Sequence, residues 1–293
     1  MNLGEFYSLA CAAAWAVAII CFRQAGQHLP AQHLNLLKNT IMLVLLVPTL
    51  PLFGSAFWLP SEAAGISLLS GLLGIAIGDG LYLAAIQKLG ASRAGLAGML
   101  YSPWVILMSA FWLGESLRTG QWWGLGLVLL GLLGVGLNQT RSPGSEPFSW
   151  SGLGLAAVAM GLMAAGIVMI KPSLETQDFL SVVWVRALAG TLPLALWMLR
   201  PSAPQPLLAR STWAGVQQWP ILLLGCVLST YVAMIIWLAG YKYAQASVAA
   251  VLNESAALWI MLLAWIFLGE RLNARQLLSA GLIAGGVLLV LFA

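Results

Sequence analysis

Charge is scarce in this chain. Only 8% of its 293 residues are Asp, Glu, Lys or Arg, where a soluble domain carries about a quarter. With 61% hydrophobic residues, the chain cannot cover its own surface in water, so lipid must be the solvent for most of it. The net charge of +4 comes from scattered groups and no basic run exists, which excludes nucleic acid as a partner. Cysteine is equally sparse. Cys11, Cys21 and Cys226 lie in apolar segments, with neither a disulfide framework nor zinc spacing. The only histidines, His28 and His33, fall together in the first loop, where solvation is the ordinary state. Aspartate occurs twice, and Asp178 lies in a loop, so Asp79 has no partner for intramembrane aspartyl chemistry. No G-x-x-x-x-G-K-[ST] is present, so a nucleotide-binding loop does not supply energy. These absences point to a non-enzymatic membrane protein with no cofactor and no metal. The N-terminus has no basic n-region and Glu5 opens its first apolar run, which reads as a retained helix.

What is abundant is long apolar runs. Ten are of bilayer-spanning length: 4–22, 34–53, 64–86, 92–113, 119–137, 150–170, 180–199, 216–240, 246–268 and 274–292. Lipid forbids unpaired backbone groups, so each is expected to be helical. The fold class is therefore an all-α integral membrane protein with ten transmembrane helices.

The chain also repeats itself. Aligning 83–137 with 238–292 gives 17 identities in 55 ungapped positions, among them Leu113-Gly114-Glu115 with Leu268-Gly269-Glu270 and Trp104 with Trp259. Polar and Trp identities in register exceed what apolar bias produces, so the chain is two related halves. The first is expected at 1–140, a linker at 141–149 and the second at 150–293. Lys38 and Arg186 also correspond, at an offset of 148. Five helices per half is an odd number, so the second half enters the membrane in the opposite sense. That is the inverted-topology architecture of many secondary transporters, with substrate held near the midplane between repeats.

Loop charge gives an orientation. Arg23, Lys38, Lys88, Arg93, Arg141, Arg200, Arg210, Arg271 and Arg275 fall on one face, and Arg118, Lys171, Arg186 and Lys242 on the other. The positive-inside rule places the first face in the cytoplasm and both termini outside.

Gly90-Ala91-Ser92 before the fourth helix and Leu113-Gly114-Glu115 after it recur as Gln245-Ala246-Ser247 and Leu268-Gly269-Glu270. With ten helices in two five-helix repeats, the chain resembles the drug/metabolite transporter superfamily and, within it, EamA-type permeases. Pro103 fits the pattern and its repeat-mate Leu258 departs from it. The resemblance spans essentially the whole chain. It implies export of amino acids, other metabolites or drugs across a plasma (inner) membrane. It also implies a cavity lined by helices three, four, eight and nine, with five and ten packed outside. Nucleotide-sugar relatives have both termini cytosolic, contrary to the loop charges.

Charge within a membrane helix costs roughly 2.5–3.5 kcal/mol, so it marks a cavity or a partner. Asp79, between Gly78 and Gly80 in the third helix, has Tyr82 on its face; antiparallel counting brings Tyr101 and Trp104 to similar depth. A carboxylate among rings suits an amine with an aromatic or apolar body, or the coupling proton. The alternative is a structural Asp bonded to Tyr101 or to a backbone group freed by the glycines. Glu254 lies in Asn253-Glu254-Ser255 of the ninth helix, opposite Ser229-Thr230-Tyr231 by the same counting. Proton coupling is expected at Asp79 or Glu254. Each acid has Met as its repeat-mate, Met234 and Met99 respectively. Trp237 and Trp259 lie deep enough to line the cavity, unlike the Trp near helix ends. Lys38 and Arg186 could pair with an anionic substrate or with these acids, but are expected to snorkel or to pair within the protein. Glu115 and Glu270 suggest caps on the following helix, or pairing with Arg118 and Arg271. Gly281-x-x-x-Gly285 leaves both a monomer and a homodimer open. The reading is a secondary transporter of a small molecule working by alternating access. A lipid flippase or a non-transporting scaffold is the alternative.

Overall fold

The computed structural model describes residues 1–25, 29–89, 94, 97–139, 149–200, 213, 216, 218–268 and 274–293. Every regular element among them is helical. In the first half they are α1 (Leu3–Ala25), α2 (Ala31–Leu52), α3, α4 and α5 (Thr119–Gln139). In the second they are α6 (Trp150–Thr176), α7 (Phe179–Met198), α8, α9 and α10 (Ala274–Phe292). Eight helices are long and apolar enough to cross a bilayer, and the main segment of α4, Tyr101–Leu113, is a shorter apolar one. Residues 141–148 of the linker and the Pro-rich 201–206 lie outside the described residues, as do Glu270 and Gly90-Ala91-Ser92.

Four helices are interrupted, and the interruptions obey the repeat. α3 runs as Ser61–Gly71, a π-helical turn Leu72–Gly78, then Asp79–Leu89. α8 runs as Trp219–Cys226, a π turn Val227–Val232, then Ala233–Tyr243. The two π turns start 155 positions apart. α9 is Ala246–Asn253, a turn at Glu254-Ser255, then Ala256–Leu268; α4 turns at Met99-Leu100 before Tyr101–Leu113, again 155 positions earlier. Tight i→i+3 bonds mark these turns: Leu100 N–H to Ala97 O at 3.1 Å and Ser255 N–H to Leu252 O at 3.1 Å. A π turn frees backbone carbonyls and redirects side chains, and such turns cluster at functional sites.

Local chemistry sets the ends. Asp178 is not a free loop residue; it caps α7, accepting from Ser181 N–H at 2.9 Å and from Ser55 Oγ at 3.0 Å. Ser149 caps α6. Gly114 ends α4 in the left-handed region, φ +65°, and Glu115 N–H closes back on Ser109 O at 3.2 Å. Left-handed backbone explains the glycine of Leu-Gly-Glu. α6 passes Lys171 and Pro172, where the sequence suggested its end, because Lys171 is buried in the bundle instead of being released to water. His33 likewise departs from the expected solvated loop. It is fully buried near the start of α2 and meets the Trp213 ring edge-on at 5.5 Å; His28 lies outside the described residues.

Packing interlocks the halves. α1 lies against α8 and α9, and α6 mirrors it against α3 and α4. α2 packs on α7 and α8, and α7 on α2 and α3. The main apolar core draws on α2, α4, α6, α7, α8 and α9. α5 and α10 pack on each other through glycine: a Cβ on Gly286 would sit 2.5 Å from Gly124 O.

Candidate functional site

The helix interruptions surround a group of polar side chains drawn from both halves. Arg186 of α7 is 3% exposed. Its Nη1 donates to Ser70 Oγ on α3, and to Gly166 O on α6 at 3.4 Å. Its guanidinium carbon lies 5.6 Å from the centre of the Trp237 ring on α8. The sequence clears space for it: Gly71 lies against the Arg186 backbone, and a Cβ on Gly74 would come within 3.1 Å of Nη2.

Asp79 follows the π turn of α3 directly. It faces the side-chain amide of Asn35 on α2, within electrostatic reach of Lys38 and Arg186. Asn39 Nδ2 donates to Asn35 Oδ1 at 3.1 Å, completing a buried amide pair. Lys38 Nζ lies 5.6 Å from the centre of the Trp15 ring, and Thr230 Oγ1, in the π turn of α8, donates to Lys38 O at 2.7 Å. That bond places the Lys38 backbone beside the π turn. Arg186 is hydrogen-bonded within the protein.

Glu254 occupies the turn of α9 and accepts from Ser102 Oγ on α4. Its charge acts on Tyr82, Tyr101 and Tyr241. Among the described residues no cation lies within ion-pair distance of it. Tyr101 and Tyr241 share a hydroxyl–hydroxyl bond of 3.1 Å, and Trp237 meets Tyr241 edge-on at 5.0 Å.

Several expected neighbours are elsewhere. Ser229, Thr230 and Tyr231 face away from Glu254: Ser229 bonds Cys226 O, Thr230 bonds α2, and Tyr231 shares a 2.6 Å hydroxyl bond with Thr49 of α2. Tyr82 donates to Ala94 O at 3.1 Å and packs with Ala85 and Leu89. Trp104 packs on the main core beside Gly161 of α6. Trp259 is 38% exposed and joins no core cluster, unlike its repeat-mate. Asn253 donates to Ala249 O at 2.8 Å while its Oδ1 is buried and unpaired. The residues missed by sequence reasoning are Asn35, Asn39, Ser70, Ser102 and Tyr241. The spacing of Asn35, Lys38 and Asn39, i, i+3 and i+4 on an apolar helix, was a usable signal for α2.

A second polar group lies where α4 ends. Glu115 Oε1 accepts from Ala246 N–H at 3.0 Å and Oε2 from Ser247 N–H at 3.2 Å and Ser247 Oγ at 3.1 Å. It caps a helix of the other half, not the next one. Its cationic neighbour is Lys171, at 3.9 Å, not Arg118, which donates to Ala293 O at 2.9 Å. Lys171 Nζ also donates to Glu175 Oε1 at 2.7 Å, Tyr241 O at 2.8 Å and Ala244 O at 2.7 Å.

Comparison with known proteins identifies the family model that the two halves match and a solved structure of the same fold. The model of the EamA-like transporter family matches residues 2–137 and 150–292, one match per half. A solved crystal structure shares the fold, with a TM-score of 0.77 at 19% identity over 98% of this chain and 94% of the other. No individual curated protein matches the sequence.

Proposed function

The chain belongs to the EamA-like transporter family, and from that membership we propose a secondary carrier of a small polar metabolite in the plasma (inner) membrane. The two halves rock about the central site and expose it to one side at a time. One observation carries this reading: Lys38 and Asp79 from the first half and Arg186 and Glu254 from the second are held inside the bundle, at or beside helix interruptions. Four charges in lipid are retained only where they do work on a cargo or on each other. The formal charges cancel, so the site suits a cargo without net charge, such as an amino acid.

The roles follow from the surroundings. Asp79 is the ammonium-binding group, and Trp237, Tyr101 and Tyr241 supply ring surface for the cargo's body. Glu254 has hydroxyl neighbours and, among the described residues, no cation within ion-pair distance, so we assign it the coupling proton; protonating it removes a charge that has no direct ionic partner there.

Purified protein in liposomes tests the proposal. Uptake of a panel of amino acids, amines, sugars and phosphorylated metabolites is measured with and without a pH gradient. Uptake of one class, increased by the gradient, is expected. Uptake that ignores the gradient would remove the proton from the mechanism. Absence of uptake together with movement of labelled lipid would replace the carrier with a flippase.

A further inference from the structure

Arg186 holds its guanidinium with one edge hydrogen-bonded and the other without a partner among the described residues. Ser70 and Gly166 take Nη1, and the Trp237 ring covers a face. Nε is buried without a partner. Nη2, which shares the side edge with Nε, makes no hydrogen bond among the described residues; beside it is Gly74, where a Cβ would come within 3.1 Å. The neighbouring acid does not fill this edge. Asp79 acts on Arg186 electrostatically but forms no ion pair with it. Opposite charges this close in a medium of low polarity would ordinarily join, and an unfilled buried donor is costly. Ser70 engages the Arg186 guanidinium through Nη1, and Asp79 faces the Asn35 amide.

We infer that the Nε–Nη2 edge of Arg186 is a carboxylate subsite, so that the cargo is a zwitterion spanning from Arg186 to Asp79. The planar side edge of a guanidinium matches the two oxygens of a carboxylate in a bidentate pair. The ammonium of the same cargo then reaches Asp79. Lys38 is not equivalent to Arg186: it is a point charge, half-buried over Trp15. The inference rests on the carrier reading and extends it by naming both charged ends of the cargo.

Calorimetry in detergent separates the two. Phenylalanine is compared with phenethylamine, which lacks the carboxylate, and 3-phenylpropanoate, which lacks the ammonium; glycine and leucine are run beside them. Phenylalanine or another of the zwitterions should bind about 10- to 100-fold more tightly than its truncated analogues, the range for hydrogen bonds to a charged group. Arg186→Lys keeps the charge and loses the edge, and should lower zwitterion affinity by a similar factor. Because Arg186 also tethers Ser70, Gly74→Ala is the second variant. It crowds Nη2 by one methyl, leaves the tether, and should weaken the zwitterion more than the amine. Equal binding of phenylalanine and phenethylamine would overturn the carboxylate subsite, as would failure of every zwitterion to bind. Zwitterion binding without uptake in liposomes would instead refute the carrier and keep the subsite.

Discussion

Asp79 and Glu254 are both acids in apolar helices, yet their surroundings assign them different work. Asp79 has Asn35 beside it and two cations in reach. Asp79→Asn leaves Lys38 and Arg186 uncompensated, and uptake is expected to fall by about 10-fold or more, since a buried unpaired charge costs several kcal/mol; uptake by the liposome assay at wild-type rates would refute its role. Glu254→Gln keeps a group that can bond Ser102 Oγ. It should preserve counterflow exchange of cargo while abolishing stimulation by a pH gradient. Asp178, at the membrane surface, gives a stability test. Partial burial alone would raise its pKa, but Ser181, Ser55 and Lys242 outweigh that and hold it below the ordinary value of 3.8. Its contribution is therefore present above the ordinary carboxylate range and lost as pH falls through the lowered value. Asp178→Ala should cost about 1 kcal/mol near pH 7, with the melting-temperature difference shrinking on acidification. Both buried acids stood out in the sequence because charge is rare there. Their partners did not. Counting along hairpins pairs α3 with α4 and α8 with α9, whereas Asp79 is met by α2 and α7, a neighbour relation that only tertiary packing creates.

At the level of the helix, the repeat preserves irregularity as well as regularity. The π turns of α3 and α8 and the turns of α4 and α9 recur at the same offset, although Leu72–Gly78 and Val227–Val232 differ in sequence. Helix positions were legible from apolar length, but these interruptions were not, since Leu72-Leu73-Gly74 reads as ordinary helix. Glu115 was legible as a repeated residue, and its capping role was anticipated; the identity of the capped helix was not, because α4 and α9 are distant in sequence. Glu115→Ala removes three acceptor bonds from the start of α9. About 1–2 kcal/mol of stability should be lost, read as a lower melting temperature, while Glu115→Gln recovers part of it. Gly286→Leu would drive a side chain into the Gly124 backbone. Overpacking of this kind costs about 1–3 kcal/mol, and an unchanged melting temperature would show that α5 and α10 separate freely.

The whole molecule is held by exchange between its halves. α1 completes the α8–α9 side and α6 the α3–α4 side, so neither half encloses a core by itself. Two-half architecture was visible in the sequence; this crossing of partners was not, because repeat alignment reports similarity and not contact. Orientation is the other global property. Arg186, Lys38 and Lys171 are withdrawn from the loops by their positions in the bundle, which leaves eight loop cations on one face and two on the other from the nine and four counted by sequence. The bias is retained, so both termini are expected outside the cytoplasm. Reporter fusions at the C-terminus, one active only outside and one only inside, check this directly.

The helix interruptions recur in both halves, but Asp79 corresponds to Met234 under the repeat and Glu254 to Met99. For the proposed carrier, this makes the two half-cycles chemically unequal. A carrier cannot alter the equilibrium set jointly by the gradients of its cargo and its coupling proton, so inequality must surface in kinetics: half-saturation on one side differs from that on the other, and the ratio of maximal rates compensates. An exporter of this design can thus remain unsaturated at internal concentrations while binding weakly to the same compound outside. Exchanging the acid and methionine positions pairwise would interchange those two constants.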